Sequence, residues 1–117
     1  AAYRMSNLSA APRDLGGIYA IRNCTTGMIY IGRTRRFYAR WNEHRMALRN
    51  GRHEKPLLQQ AFQENGESAF DCIIAEVSEP YQQGYVERIE WRWMIVFKSH
   101  GATLYNTLPS WAEGRTV

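Results

Sequence analysis

Hydrophobic and polar positions in this 117-residue chain change period from segment to segment, and each change marks an element. Between Gly17 and Arg33, Ile18, Tyr19, Ile21, Ile29, Tyr30 and Ile31 flank a Cys24-Thr25-Thr26-Gly27 punctuation. β-Branched and aromatic residues on both sides of such a turn predict two paired strands. In an antiparallel pair, opposed residues share a face and faces alternate along each strand. With Asn23 and Met28 flanking a four-residue loop, Tyr19 faces Gly32 and Tyr30 faces Ile21. Any even loop length keeps Tyr19, Tyr30 and Gly32 on one side. Two phenols then stand beside a position with no side chain, which has the look of a site.

Beyond this hairpin the period lengthens. Phe37, Trp41 and Leu48 recur at helical spacing over about 36–48, and Asn50-Gly51 supplies the stop. A second, shorter helix opens at Pro56, a residue suited to a first turn, and passes Leu57, Leu58, Ala61 and Phe62 to end at Asn65-Gly66. Residues 69–77 read as a strand. Pro80 leads into a long helix, about 81–99, closed by His100-Gly101, and 103–106 form a short extended piece. The order β-β-α-α-β-α predicts an α+β domain, a small three-stranded antiparallel sheet flanked by helices. Residues 1–16 show no clear period and are expected to be a poorly ordered lead-in, with the domain at 17–107 and a tail at 108–117.

Apolar residues make up 44% of the chain, enough for one globular domain and too many for disorder. No run approaches the roughly 18 apolar residues of a membrane span. The first residues lack the apolar core of a secretory signal, so an intracellular, cytoplasmic protein without a membrane partner is expected. Cys24 and Cys72 have no metal-ligand spacing, and Cys72 reads as buried filler.

Charge changes the picture more. The net +4 is modest, but Arg33, Arg35, Arg36, Arg40, Arg45, Arg49 and Arg52 face one acid, Glu43, in the same window. Such a block suits a polyphosphate partner, since neutralised phosphates release counterions and the guanidinium fork matches phosphate oxygens. A solvated basic helix face is the alternative reading. Residues 49–56, which include Lys55, form the expected nucleic-acid contact loop.

In the long helix, Val86, Ile89, Trp93, Val96 and Phe97 trace an apolar stripe, and Glu90 lies inside it. A carboxylate on a core-facing side must be paired, protonated or metal-bound. A salt bridge to a neighbouring arginine and a metal ligand are both open. Glu87 falls off the stripe and reads as surface charge. Arg40 and His44 stand one turn apart on one helix face.

The ordered series Gly17-Ile18-Tyr19, Tyr30-Ile31-Gly32, Arg40-Trp41 with His44, Glu90 before Trp93, and Tyr105-Asn106 resembles the GIY-YIG nuclease superfamily over roughly residues 16–107. The resemblance implies a stand-alone catalytic domain, akin to phage and mobile-element endonucleases, that hydrolyses double-stranded DNA to 5′-phosphate and 3′-hydroxyl ends. It implies that Glu90 is the single catalytic glutamate and a metal ligand. One strong acid implies one divalent cation, Mg²⁺, a hard ion that keeps several waters, with Mn²⁺ able to substitute. Asp14 and Asp71 join no cluster, which disfavours two metals. Arg40 would hold the scissile phosphate, and His44 would orient a phosphate oxygen or a tyrosine hydroxyl. Tyr19, assisted by Tyr30, would take the proton of the attacking water, which requires lowering a phenol pKa that is ordinarily about 10.

Gly32 and Asn106 would support this geometry, although a turn-forming asparagine competes as an explanation. Arg33, where many relatives carry lysine or serine, keeps a cation that either clamps phosphate or borders the groove. His53 and His100 read as surface or capping residues. A non-catalytic DNA-binding module and the incision domain of a larger repair protein are the rival functions. Sequence specificity stays open, as does the choice between a homodimer and sequential nicks, and a DNA-binding domain outside this chain is an expected partner.

Overall fold

The structure, a computed structural model, describes residues 2–107. Its strands are β1 (Ala2–Arg4), β2 (Gly17–Asn23), β3 (Ile29–Thr34) and β4 (Phe70–Val77). Its helices are α1 (Phe37–Arg49), α2 (Pro56–Asn65) and α3 (Gln83–Ser99), with a single 3-10 turn at Glu67–Ala69 before β4. The sequence places the hairpin, the three helices and β4 to within about two residues of these bounds.

The α+β class holds, but the sheet has four strands, in the order β1-β4-β2-β3, where three were expected. The added member comes from the lead-in that lacked a period. Ala2 to Arg4 pair antiparallel with Ile73 to Asp71, and Met5 N–H extends the ladder to Phe70 O at 3.0 Å. Three residues are too few for an alternation to register in sequence. What anchors the segment is burial of Met5, Leu8 and Ala11, spaced by three, together with Tyr3 packed on Trp41 at 5.6 Å between ring centroids. The expected 108–117 tail lies outside the described residues.

The hairpin takes the expected register, Tyr19 opposite Gly32 and Ile21 opposite Tyr30. Lying between β4 and β3, β2 is buried on both faces and alternates between two cores. Ile18, Ala20, Ile29 and Ile31 pack with Val86 and Ile89 of α3. Tyr19, Ile21 and Tyr30 pack on the other side with Phe37, Trp41 and Leu48 of α1 and Leu58 of α2. After α3 the chain returns to β3, where Leu104 bridges Ile29 in parallel and Tyr105 N–H donates to Ile29 O at 2.7 Å. Cys72 is buried, as expected of filler, and Cys24 is exposed. Among the described residues, no helix is long and apolar enough to cross a membrane.

Candidate active site

Gly32 explains how the two halves of the hairpin meet. A Cβ built there would sit 2.9 Å from Cε2 of Tyr19 and closer still to Cζ and the phenol oxygen. Only a residue without a side chain lets the Tyr19 ring, rooted on central β2, lie across β3. Its hydroxyl then meets Nε2 of His44 on α1 at 2.6 Å, and both residues are buried, 1% and 2% exposed. Tyr30 packs beside them, with ring centroids 6.5 Å from Tyr19 and 5.5 Å from His44. Tyr19, Tyr30, Arg40 and His44 therefore form one contiguous cluster.

The structure adds a residue that the sequence left at the surface. His53, in the loop between α1 and α2, stacks on His44 at 5.0 Å, with its Nε2 2.7 Å from His44 Nδ1. This contact fixes the proton positions. Lys55 N–H is an obligate donor, and it reaches His53 Nδ1 at 3.0 Å, so that nitrogen carries no hydrogen. Neutral His53 then holds its proton on Nε2 and donates to His44 Nδ1. Neutral His44 in turn holds its proton on Nε2 and donates to the Tyr19 oxygen. A backbone amide thus sets a tautomer two side chains away. The sequence gives only a faint signal of this, a histidine shortly before the Lys55-Pro56 helix start.

Electrostatics agree with both imidazoles being neutral. Burial, aided by Arg40 and His53, pushes the His44 imidazole down to about 3. Burial also lowers His53. For Tyr19, burial and then the neighbouring Tyr30 raise the pKa well above the ordinary phenol value, while Arg40 pulls it down through charge and a hydrogen bond. Tyr30 is raised by burial too, again opposed by Arg40. The resting phenols are protonated, and Arg40 with His44 Nε2–H are the groups placed to stabilise a phenolate. Arg40, His44 and His53 line a cavity of about 240 Å³ together with Arg52 and the carboxylates of Glu43 and Glu54. Those carboxylates hold Arg40 at 3.1 and 3.9 Å.

Glu90 approaches from the opposite face. Its side chain on α3 is 15% exposed and pairs with the Arg33 guanidinium of β3, which also reaches Glu87 at 3.5 Å. Burial raises the Glu90 carboxyl and Arg33 lowers it. The salt bridge that the sequence left open is therefore present. The acid does not enter the phenol pocket directly; edge strand β3 separates them, and the Glu90 charge still acts on both phenols. Asn106 secures that edge. Its Oδ1 accepts from Ile31 N–H and its Nδ2 donates to Ile31 O, each at 2.8 Å, pinning the peptide between Tyr30 and Gly32. This is backbone pairing to a strand rather than a turn within the asparagine's own segment.

The basic block divides on folding. Arg45 donates to Met5 O at 3.2 Å and Asn42 Oδ1 at 2.7 Å, so it ties α1 to β1. Arg49 forms a two-pronged pair with Glu67 at 2.6 and 2.8 Å. Both are expected nucleic-acid contacts; in the structure both hold partners of the same domain, Arg45 part-buried and Arg49 at the exposed surface. Arg36 and Arg52 are exposed, Arg35 stacks over Tyr81 at 4.4 Å, and Lys55 is half-buried at the start of α2. Among the described residues, no three His, Cys, Asp or Glu side chains gather as a metal cage. Glu90 is largely buried and shares Arg33 with the half-exposed Glu87, so an ion there would be held through one protein carboxylate and its own waters once the guanidinium gives way.

This arrangement defines a family. Residues 15–106 match the GIY-YIG catalytic domain model, and the chain belongs to that family, whose members are nucleases. Its sequence is 33% identical over 78 residues to Intron-associated endonuclease 1 of Enterobacteria phage T4, covering 67% of this chain and 31% of that protein. The chain thus spans about a third of that relative's length. Among solved structures it is similar to the catalytic domain of the homing endonuclease I-TevI, with 27% identity, a TM-score of 0.66 and coverage of 79% of this chain and 99% of that one. A variant of the same catalytic domain matches at 30% identity and a TM-score of 0.64, over 73% of this chain and 82% of that one.

Proposed function

We propose that this domain hydrolyses phosphodiester bonds of double-stranded DNA, one strand per site, leaving a 5′-phosphate and a 3′-hydroxyl. The observation that carries this reading is the Tyr19–His44 hydrogen bond beside Arg40, in a chain of a nuclease family. The scissile phosphate lies at the β3 edge near Gly32, within reach of both sheet faces. Arg40 leaves Glu43 and Glu54 to clamp its oxygens and to stabilise the charge that builds there.

Tyr19, which gives up its own proton to solvent as the substrate complex forms, takes a proton from the attacking water as the new P–O bond forms and the bond to the 3′ oxygen breaks. A solvent water protonates that leaving oxygen to the 3′-hydroxyl. His44 Nε2–H and Arg40 stabilise that phenolate, and Tyr30 holds the water in line. Glu90 would hold one Mg²⁺. When bound, that ion supplies Lewis-acid stabilisation of the leaving 3′ oxygen. Arg35, Arg36, Arg52 and Lys55 track the flanking backbone.

The test is cleavage of supercoiled plasmid with Mg²⁺, comparing the unaltered domain with Tyr19→Phe, Arg40→Ala and Glu90→Ala. Each substitution is expected to reduce nicking by roughly 100-fold or more. Undiminished nicking by the Glu90 variant would end its assignment, and an inert unaltered domain that still binds DNA would favour a non-catalytic module. End-labelled products report the 5′-phosphate.

A further inference from the structure

Arg33 bridges two acids of α3, Glu90 and Glu87. One guanidinium nitrogen pairs with Glu90 and another lies 3.5 Å from Glu87, while the arginine itself sits on edge strand β3 beside Gly32. Two features make this more than a surface ion pair. Glu90 is largely buried on the apolar flank of α3, so its charge needs a partner, whereas Glu87 is half exposed. Arg33 is rooted in a paired strand, so the guanidinium starts from a fixed base.

We infer that Arg33 is an internal counter-ion competing with the divalent ion for Glu90, and so sets the metal concentration at which this site loads. The inference rests on Glu90 being the metal ligand proposed above. Binding is then an exchange in which the guanidinium leaves Glu90, stays near Glu87, and frees the carboxylate oxygen for the ion. The apparent affinity is the intrinsic one reduced by the fraction of Glu90 not held by Arg33. Arg33 is thus a positioning residue, and its effect shows in metal binding before any DNA is present.

The experiment titrates Mn²⁺ into DNA-free protein, following free Mn²⁺ by electron paramagnetic resonance. It is paired with thermal melting in EDTA and in Mg²⁺. Arg33→Gln is expected to tighten Mn²⁺ binding roughly fivefold to tenfold. It should also lower the melting temperature in EDTA, because Glu90 loses its partner, and show a larger recovery in Mg²⁺ than the unaltered protein. Should Arg33→Gln fail to fold, Arg33→Lys keeps a cation without the fork and should tighten binding about twofold. Adding Glu90→Gln should abolish the gain in either background. Binding that depends on Glu90 but is equal or weaker in the Arg33 variants overturns this inference alone. Mn²⁺ binding indifferent to Glu90→Gln in unaltered protein removes the metal assignment at Glu90, and this inference with it.

Discussion

Gly32→Ala isolates the geometric claim on which the pocket depends. The added Cβ would be 2.9 Å from Tyr19 Cε2 and closer to the phenol oxygen, well inside van der Waals contact. Gly32 sits in regular paired strand and not at a positive φ, so the alanine backbone itself is not strained. Alanine should even gain about 0.5 kcal/mol by restricting the unfolded chain. Forcing the Tyr19 ring aside costs about 1–3 kcal/mol, as overpacking of a filled site does. A net loss of roughly 1–2 kcal/mol is expected.

The same displacement pulls the Tyr19 hydroxyl from His44, so plasmid nicking should fall much further than stability does. Urea unfolding of a double-mutant cycle with Tyr19→Val is the decisive assay. With the ring gone, Gly32→Ala should turn neutral or stabilising, giving a coupling of at least about 1 kcal/mol. Equal destabilisation in both backgrounds refutes the idea that this glycine exists to seat the tyrosine.

Three further outcomes follow from the site. His53→Ala should release His44 from its single tautomer and cut nicking while the fold persists; nitrogen-15 NMR of the unaltered protein showing His44 protonated on Nδ1 would refute the relay. Because the folded His44 value of about 3 lies below its ordinary 6.5, the unfolded chain binds the proton first on acidification, so stability is complete above about 6.5 and lost on the way down to 3. That loss is on the order of 5 kcal/mol at most over the whole window, about 3 of it above pH 4, and urea unfolding from pH 7 to pH 4 should show a fall that His44→Gln flattens. In DNA binding, Arg36→Gln and Arg52→Gln should each reduce the slope of log affinity against log salt by about 0.9, whereas Arg49→Gln, already paired with Glu67, should leave it unchanged.

Much of the fold was legible because local signals and tertiary packing agree. The Cys24-Thr25-Thr26-Gly27 turn fixed an even loop, and evenness alone placed Tyr19, Tyr30 and Gly32 on one face. Pro56 and Gly66 bound α2 as their backbone preferences require. The first strand was not legible. Its pairing with β4 comes from sequence-distant contacts, Tyr3 on Trp41 and Met5 against Phe70, and three residues carry no period of their own.

In the candidate site, the sequence predicts the placement of residues carried on regular elements but not that of His53, a loop residue. Tyr19, Tyr30, Arg40, His44 and Glu90 sit on strands or helices, where spacing converts directly into facing. His53 acts through the turn of chain between α1 and α2, whose path is set by Gln59. Its side chain accepts from His53 N–H at 3.0 Å and donates to Leu48 O at 2.9 Å, fastening the loop to the end of α1. A buried glutamine joining two backbone segments has no signature in a single sequence. The two faces of the site were illegible for a related reason. Helical periodicity shows that Glu90 lies on an apolar flank, but not which side of the sheet that flank covers. Only the packing of α3 on Ile18, Ala20 and Ile31 decides it, putting β3 between acid and phenols.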